Sequence, residues 1–227
     1  MAKFYSVGVG AGDGSYITLG ALRALEKADI IAVPVKKSGE KSTALEIIRK
    51  EFDTDKKEIL ELEFPMSSDD KTRQLSRGAA AEKIISALDS GKNIAMITLG
   101  DVSVYSTCSY VHKAVKDAGH EMEIIPGITS FCAAADKAQI SLCEGNESVA
   151  IIPSLKSANL EKYIDDFDTI VIMKAGKDTD AIYNILKRHG LEHNAVVSSC
   201  IGMENELIEP IQRHKEYGYF TTVIVKH

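Results

Sequence analysis

The stretch Ile94–Ser106, IAMITLGDVSVYS, decides how the rest of the chain is read. Its continuous apolar opening, with β-branched Ile94, Ile97 and Thr98, reads as a buried parallel strand, because a strand covered on both faces needs no polar alternation. Leu99, Gly100 and Asp101 end the run abruptly, and from Val104 the spacing of Cys108, Val111 and Val115 predicts a helix. Strand, tight turn and helix form the unit of an α/β sheet, in which ligands settle at the carboxyl ends of strands. A glycine there admits close backbone approach, so Gly100 and Asp101 are expected to floor a ligand crevice. The alternative is an ordinary connection, with glycine for a positive φ and Asp101 as a helix cap.

Upstream, the pattern predicts a strand over Phe4–Val9, a glycine loop over Gly10–Gly14 and a helix over Thr18–Lys27 with Ala21, Leu22, Leu25 and Ala28 as its apolar stripe. A strand over Asp29–Val33 stops at Pro34. Thr43 and Glu46 form a capping box for a helix reaching Lys50, and Glu58–Phe64 carries the charges of an edge strand. A long helix over Asp70–Leu88 ends before Gly91. Downstream, the helix after the opening stretch runs to Ala118, and Glu121–Ile125 is a strand.

From Pro126 the rhythm changes. Helices are predicted over Ser130–Ala138, Leu160–Ile164 and Thr179–Arg188, and strands over Val149–Pro153, Thr169–Met173 and Ala195–Ser199. Strands Leu207–Ile211 and Tyr219–Val225 then follow without a helix, so the second half should carry antiparallel pairs. The chain reads as α/β with two domains, each a mostly parallel or mixed sheet flanked by helices. The break near 119–126 divides an N-terminal domain, 1–119, from a C-terminal domain, 120–227.

Composition is that of an ordinary globular protein: 44% of the 227 residues are hydrophobic and 26% charged. A formal net charge of −6 argues against nonspecific binding to nucleic acid or an anionic membrane, which both draw on basic patches. MAKFYSVGVG lacks the apolar run of a signal peptide, no stretch approaches the length of a membrane span, and the expected location is the cytoplasm. Cys108, Cys132, Cys143 and Cys200 form no CxxC pair, which disfavours zinc and a disulfide framework alike. His189 and His193 have helical spacing, but Gly190 lies between them and no third ligand accompanies them, so no protein-bound metal is expected.

The loop Gly8–Gly14, GVGAGDG, invites a dinucleotide reading. Its third fingerprint position is Asp13 rather than glycine, and the second strand ends in Val33 and Pro34 where an acidic ribose ligand belongs. Asp13 would also repel a pyrophosphate. A ligand without phosphate fits better.

These motifs together carry a resemblance. GVGAGDGSYITLGALRALEKADIIAVP resembles the opening of the S-adenosylmethionine-dependent tetrapyrrole methyltransferases, LGDVSVYST their Gly-Asp-Pro loop, and PGITSFCAAADKAQISLCEGNE their Pro-Gly-hydrophobic-Ser/Thr-Ser block. With TIVIMKAG and GMENE, the chain looks most like the branch that methylates C-20 of precorrin-2 or cobalt-factor II in cobalamin biosynthesis. The alternatives are another methyltransferase of this fold, acting on a different precorrin position, on ribosomal RNA or on a diphthine-type protein substrate, or a nucleotide-binding module without chemistry.

The resemblance implies a folded S-adenosylmethionine held in a cleft between the domains, a tetrapyrrole substrate, with or without cobalt, and a homodimer. The methionine portion would meet Leu99, Gly100, Asp101, Val104 and Tyr105, with Thr129 and Ser130; Met173, Lys174 and Cys200 would line the adenosine side. Ala11 belongs to the first loop of this cofactor set. Asp101, oriented by Tyr105, is the candidate base for the proton on the methylated meso carbon; the rival role is to hold the cofactor. Lys36, Lys37 and Arg77 are placed to meet substrate carboxylates. Ala11 and Val102 stand where the family has proline, which should loosen both loops.

Overall fold

The computed structural model describes residues 2–155 and 159–227. The chain forms two compact units, the first ending at Thr129 and the second beginning at Ser130. This is later than the expected boundary at 119/120, because the strand Glu121–Ile125 pairs in parallel with the strand Lys3–Gly8 of the first sheet.

The first unit runs β1 (Lys3–Gly8), α1 (Leu19–Lys27), β2 (Ile30–Val35), α2 (Thr43–Ile48), β3 (Glu58–Glu63), α3 (Asp70–Asp89), β4 (Ile94–Thr98), α4 (Ser109–Asp117) and β5 (Glu121–Ile125). Its sheet is parallel throughout, in the order β3-β2-β4-β1-β5. Every residue of β4 is buried, as an apolar run without alternation requires. The chain leaves β1 toward β2 but leaves β4 toward β5, and right-handed crossovers then put α1 and α2 on one face and α3 and α4 on the other. The cores agree. Tyr5, Val7, Leu25, Ile48, Ala95 and Ile97 pack on the first face; Phe4, Ile84, Met96, Val111 and Val115 pack on the second. Oppositely directed connections from the neighbours β1 and β4 open a crevice at their carboxyl ends.

Three local expectations change. β2 continues through Pro34, because its pairing with β4 covers only Ile30–Ala32 and Pro34 faces β3 alone, where one missing N–H costs little. The Thr43–Glu46 capping box does not form: Ser42 occupies the cap position, and the Glu46 carboxylate turns to Arg49, 3.1 Å away. The helix expected from Val104 begins only at Ser109, since Tyr105 adopts φ +48°, which no α-helix accommodates.

The second unit contains α5 (Ser130–Ala138), β6 (Val149–Ile152), α6 (Leu160–Asp166), β7 (Thr169–Met173), α7 (Thr179–Arg188), β8 (Ala195–Ser199), β9 (Leu207–Pro210) and β10 (Thr221–Lys226). Its sheet runs β6-β7-β10-β8-β9, with β6 and β7 parallel and the other pairs antiparallel, the mixture expected from the short connections. Leu160, Ile164, Ile170, Ile182, Leu186 and Val223 fill its core.

Candidate active site

In the first unit, three loops leave the carboxyl ends of β1, β4 and β5, and glycine backbones hold them against one another. A Cβ on Gly127 would lie 2.2 Å from the Gly100 carbonyl oxygen and 2.7 Å from the Gly8 carbonyl carbon; one on Gly8 would lie 2.7 Å from the same oxygen. Gly10 and Gly100 exchange two backbone bonds, the Gly100 N–H donating to Gly10 over 2.8 Å and the Gly10 N–H to Gly100 over 3.2 Å. Both glycines have positive φ, +81° and +72°. Asp13 caps the short turn Gly14–Tyr16 by accepting from the Ser15 N–H.

Asp101 ties two of these loops. One carboxylate oxygen accepts from the Ser103 N–H at 2.8 Å and from the Ser103 hydroxyl; the other accepts from the Gly127 N–H at 2.8 Å. Burial pushes its carboxyl up, but the bonds from Ser103, Gly127 and Val102 together outweigh it and hold the group below its ordinary value. Asp101 is therefore ionised at neutral pH, with both oxygens engaged by its own chain. Val102 is 3% exposed and packs with Met96, Cys108 and Val111. Ala11 is likewise buried, and Leu99 packs on the first core. Burial thus anchors both loops where loss of proline was expected to loosen them. Val104 is half-buried and Tyr105 exposed. Beside them lies a cavity of about 370 Å³ whose walls include Tyr105, Ser106, Tyr110, His112 and Ile124. His112 Nε2 is 2.9 Å from the Ser6 hydroxyl, and burial, with the nearby Lys116 charge, holds its pKa below the usual value. Thr129 closes this unit.

In the second unit, Ser130 opens α5. Met173 ends β7 opposite Thr222, and Cys200 follows Ser199, which lies opposite Thr221. Met173, Lys174 and Cys200 therefore reach the same end of the sheet, on either side of the start of β10. The Cys200 N–H donates to the Phe220 carbonyl at 2.8 Å, and Lys174 Nζ lies 5.9 Å from the Tyr219 ring. Gly176 lets the two loops touch, since a Cβ there would stand 2.0 Å from the Gly218 oxygen. Among the described residues, five besides glycine have positive φ, and three of them are Tyr105, Lys174 and Cys200. Left-handed backbone at such residues persists only where its surroundings enforce it, and it concentrates at ligand sites.

Sequence reasoning missed Thr18 and Ser103, and gave Gly8 and Gly127 no role of their own although they stand in the GVGAGDG and PGITSF motifs. Thr18 caps α1 through the Ala21 N–H and reaches the Pro126 carbonyl at 3.4 Å. The Pro126-Gly127 pair after an apolar strand and the Asp-x-Ser spacing at 101–103 were the available signals.

A family model of the tetrapyrrole (corrin/porphyrin) methylases matches residues 3–213. The chain belongs to the tetrapyrrole methylases. A Methanocaldococcus jannaschii protein named probable cobalt-precorrin-2 C(20)-methyltransferase is 45% identical over 206 residues, covering 86% of each chain. The cobalt-precorrin-2 C(20)-methyltransferase of Salmonella typhimurium is 28% identical over 98% of this chain and 95% of its own. A Thermus thermophilus uroporphyrin-III C-methyltransferase, solved in complex with S-adenosylhomocysteine, superposes with a TM-score of 0.70 at 15% identity, covering 100% of this chain and 98% of that one. In this methylase Val102 is held by core packing, and Val102→Ala should lower unfolding free energy by about 2 kcal/mol. Denaturant titration measures it; a change below about 0.5 kcal/mol would mean that Val102 is not what anchors the loop.

Proposed function

We infer that the protein transfers a methyl group from S-adenosylmethionine to C-20 of cobalt-precorrin-2 or precorrin-2, a step of cobalamin biosynthesis. The 45% identity to the Methanocaldococcus protein, running over 86% of both chains, carries this reading. The loops fit such a methyl donor. Their glycines bring backbone rather than side chains to the strand ends, and the Asp101 carboxylate that ties two of them is held ionised. S-adenosylmethionine supplies an electrophilic methyl group on a cationic sulfur.

The chain's own contribution is placement. Leu99, Gly100, Val104, Tyr105, Thr129 and Ser130 take the methionine portion of the donor, and Met173, Lys174 and Cys200 its adenosine side. Asp101 fixes the loop and presents a negative charge, which favours a cation in the ground state. A carboxylate held below the usual range is a weak proton acceptor, so we assign Asp101 to positioning ahead of base chemistry. Alignment of an electron-rich meso carbon with the methyl group supplies most of the acceleration; the S–CH3 bond breaks to leave S-adenosylhomocysteine, and the proton displaced from C-20 passes to solvent. The same reading makes the enzyme a cytoplasmic homodimer acting on neither nucleic acid nor membrane; the net charge of −6 supports the former exclusion.

Incubation with isotope-labelled S-adenosylmethionine and cobalt-precorrin-2 should place one labelled methyl at C-20, read by NMR of the product. Label in ribosomal RNA or protein, with none in the tetrapyrrole, would overturn the reading.

A further inference from the structure

The substrate inferred above is a nearly four-fold disc rimmed with acetate and propionate groups. A disc of that kind offers several similar edges, so methylation at one meso carbon requires a contact that fixes its rotation. Shape discriminates poorly between near-equivalent edges; a charged contact at one carboxylate discriminates well.

The first unit holds a cation suited to that contact. The Arg77 guanidinium carbon, from α3, lies 3.7 Å from the centroid of the Tyr110 ring on α4, and the Phe64 ring packs against the same tyrosine at 6.4 Å. Tyr110 is also a wall of the 370 Å³ cavity beside the Asp101 loop. Arg73, one turn before Arg77, is bonded to Asp70, whereas Arg77 has no ion-pair partner among the described residues. No Asp or Glu lines the cavity, and His112 within it is held toward its neutral form. A guanidinium laid on an aromatic ring keeps its in-plane donors at the rim and has already lost much of its side-chain freedom. Such a fork matches a carboxylate bidentately.

We propose that Arg77, stacked on Tyr110, anchors one carboxylate of the tetrapyrrole, and that the cavity walled by Tyr105 and Tyr110 takes the apolar edge carrying that acid. The proposal rests on the methyltransferase reading above. It selects Arg77 from the three cations that the sequence suggested; Lys36 and Lys37 are exposed, and neither lies over an aromatic ring among the described residues.

The test compares wild type, Arg77→Ala and Arg77→Lys, using cobalt-precorrin-2 and its methyl ester as absorbance-titrated ligands and S-adenosylhomocysteine as a calorimetric control. Arg77→Ala should weaken tetrapyrrole binding about tenfold to a hundredfold, the range of one charge-assisted bidentate contact, and leave S-adenosylhomocysteine affinity within about twofold. Arg77→Lys should recover only part, because an ammonium lacks the fork. The ester should bind wild type and Arg77→Ala alike. A variant that melts earlier yet binds the acid as wild type does would mean that the stack only packs α3 on α4, and the proposal falls. Equal losses for acid and ester overturn it too. If wild type neither binds nor methylates cobalt-precorrin-2, both this proposal and the methyltransferase reading fall; normal wild-type turnover with an indifferent Arg77→Ala removes the anchor alone.

Discussion

Gly127→Ala is expected to abolish S-adenosylhomocysteine binding and to destabilise the first unit by about 3 kcal/mol. The added methyl would stand 2.2 Å from the Gly100 oxygen and 2.9 Å from the Gly8 Cα, and its three nearest neighbours are all backbone atoms. A side chain could swing away; three strand ends cannot move without parting the bonds that join them. Relief must open the gap between the loops after β1, β4 and β5, which is where the cofactor is proposed to lie. Gly78→Ala serves as control, because a Cβ in that helix meets nothing within 4 Å and φ is not positive there. It should stabilise by about 0.5–1 kcal/mol. Calorimetry and denaturant titration read both variants, and wild-type affinity in Gly127→Ala would show that the three loops do not act as one platform.

Asp101→Asn should lower turnover about a hundredfold and weaken S-adenosylhomocysteine about tenfold. An amide has one accepting oxygen where the carboxylate uses two, so either the Gly127 N–H or the Ser103 donors must face an NH₂ group. A donor left unsatisfied costs about 1–3 kcal/mol, which is the size of that affinity loss. S-adenosylmethionine should lose more than its product, since the variant also forfeits attraction to the cationic sulfur. The folded-state pKa of Asp101 is lowered, so its stabilising contribution is present above the unfolded value and fades as pH falls through the folded one. KM for S-adenosylmethionine should accordingly stay flat through the neutral range and rise only in acid. Undiminished affinity beside lost turnover would return Asp101 to the role of base.

The elements that local chemistry specifies were legible. α5, β7 and β8 begin and end at the expected residues, and β4 declares itself because burial on both faces leaves an uninterrupted apolar run. What escaped depends on distant partners. β5 belongs with β1, a pairing that spans most of the first unit, whereas the boundary read from the sequence fell at 119/120, before β5, although the rhythm changes only after it. The helix at Val104 failed because Cys108, Val111 and Val115 keep helical spacing whether or not the residues before them are helical, and nothing local reports the left-handed turn at Tyr105. Gly8 and Gly127 each look like ordinary strand-end glycines; only their meeting at the Gly100 oxygen explains why neither tolerates a side chain. The proline argument considered chain entropy without burial, and burial of Ala11 and Val102 supplied the missing restraint.

The place of β10 has a consequence for biosynthesis. β7 and β8 do not pair with each other: Thr221–Lys226, which follows both in the chain, lies between them in the sheet. Until that strand emerges during synthesis the second sheet cannot close, and a β6–β7 or β8–β9 pair formed earlier would show a bare inner edge. The five parallel strands of the first unit precede all of this, so the platform carrying Gly8, Gly100 and Gly127 is translated before the strand that joins the second sheet.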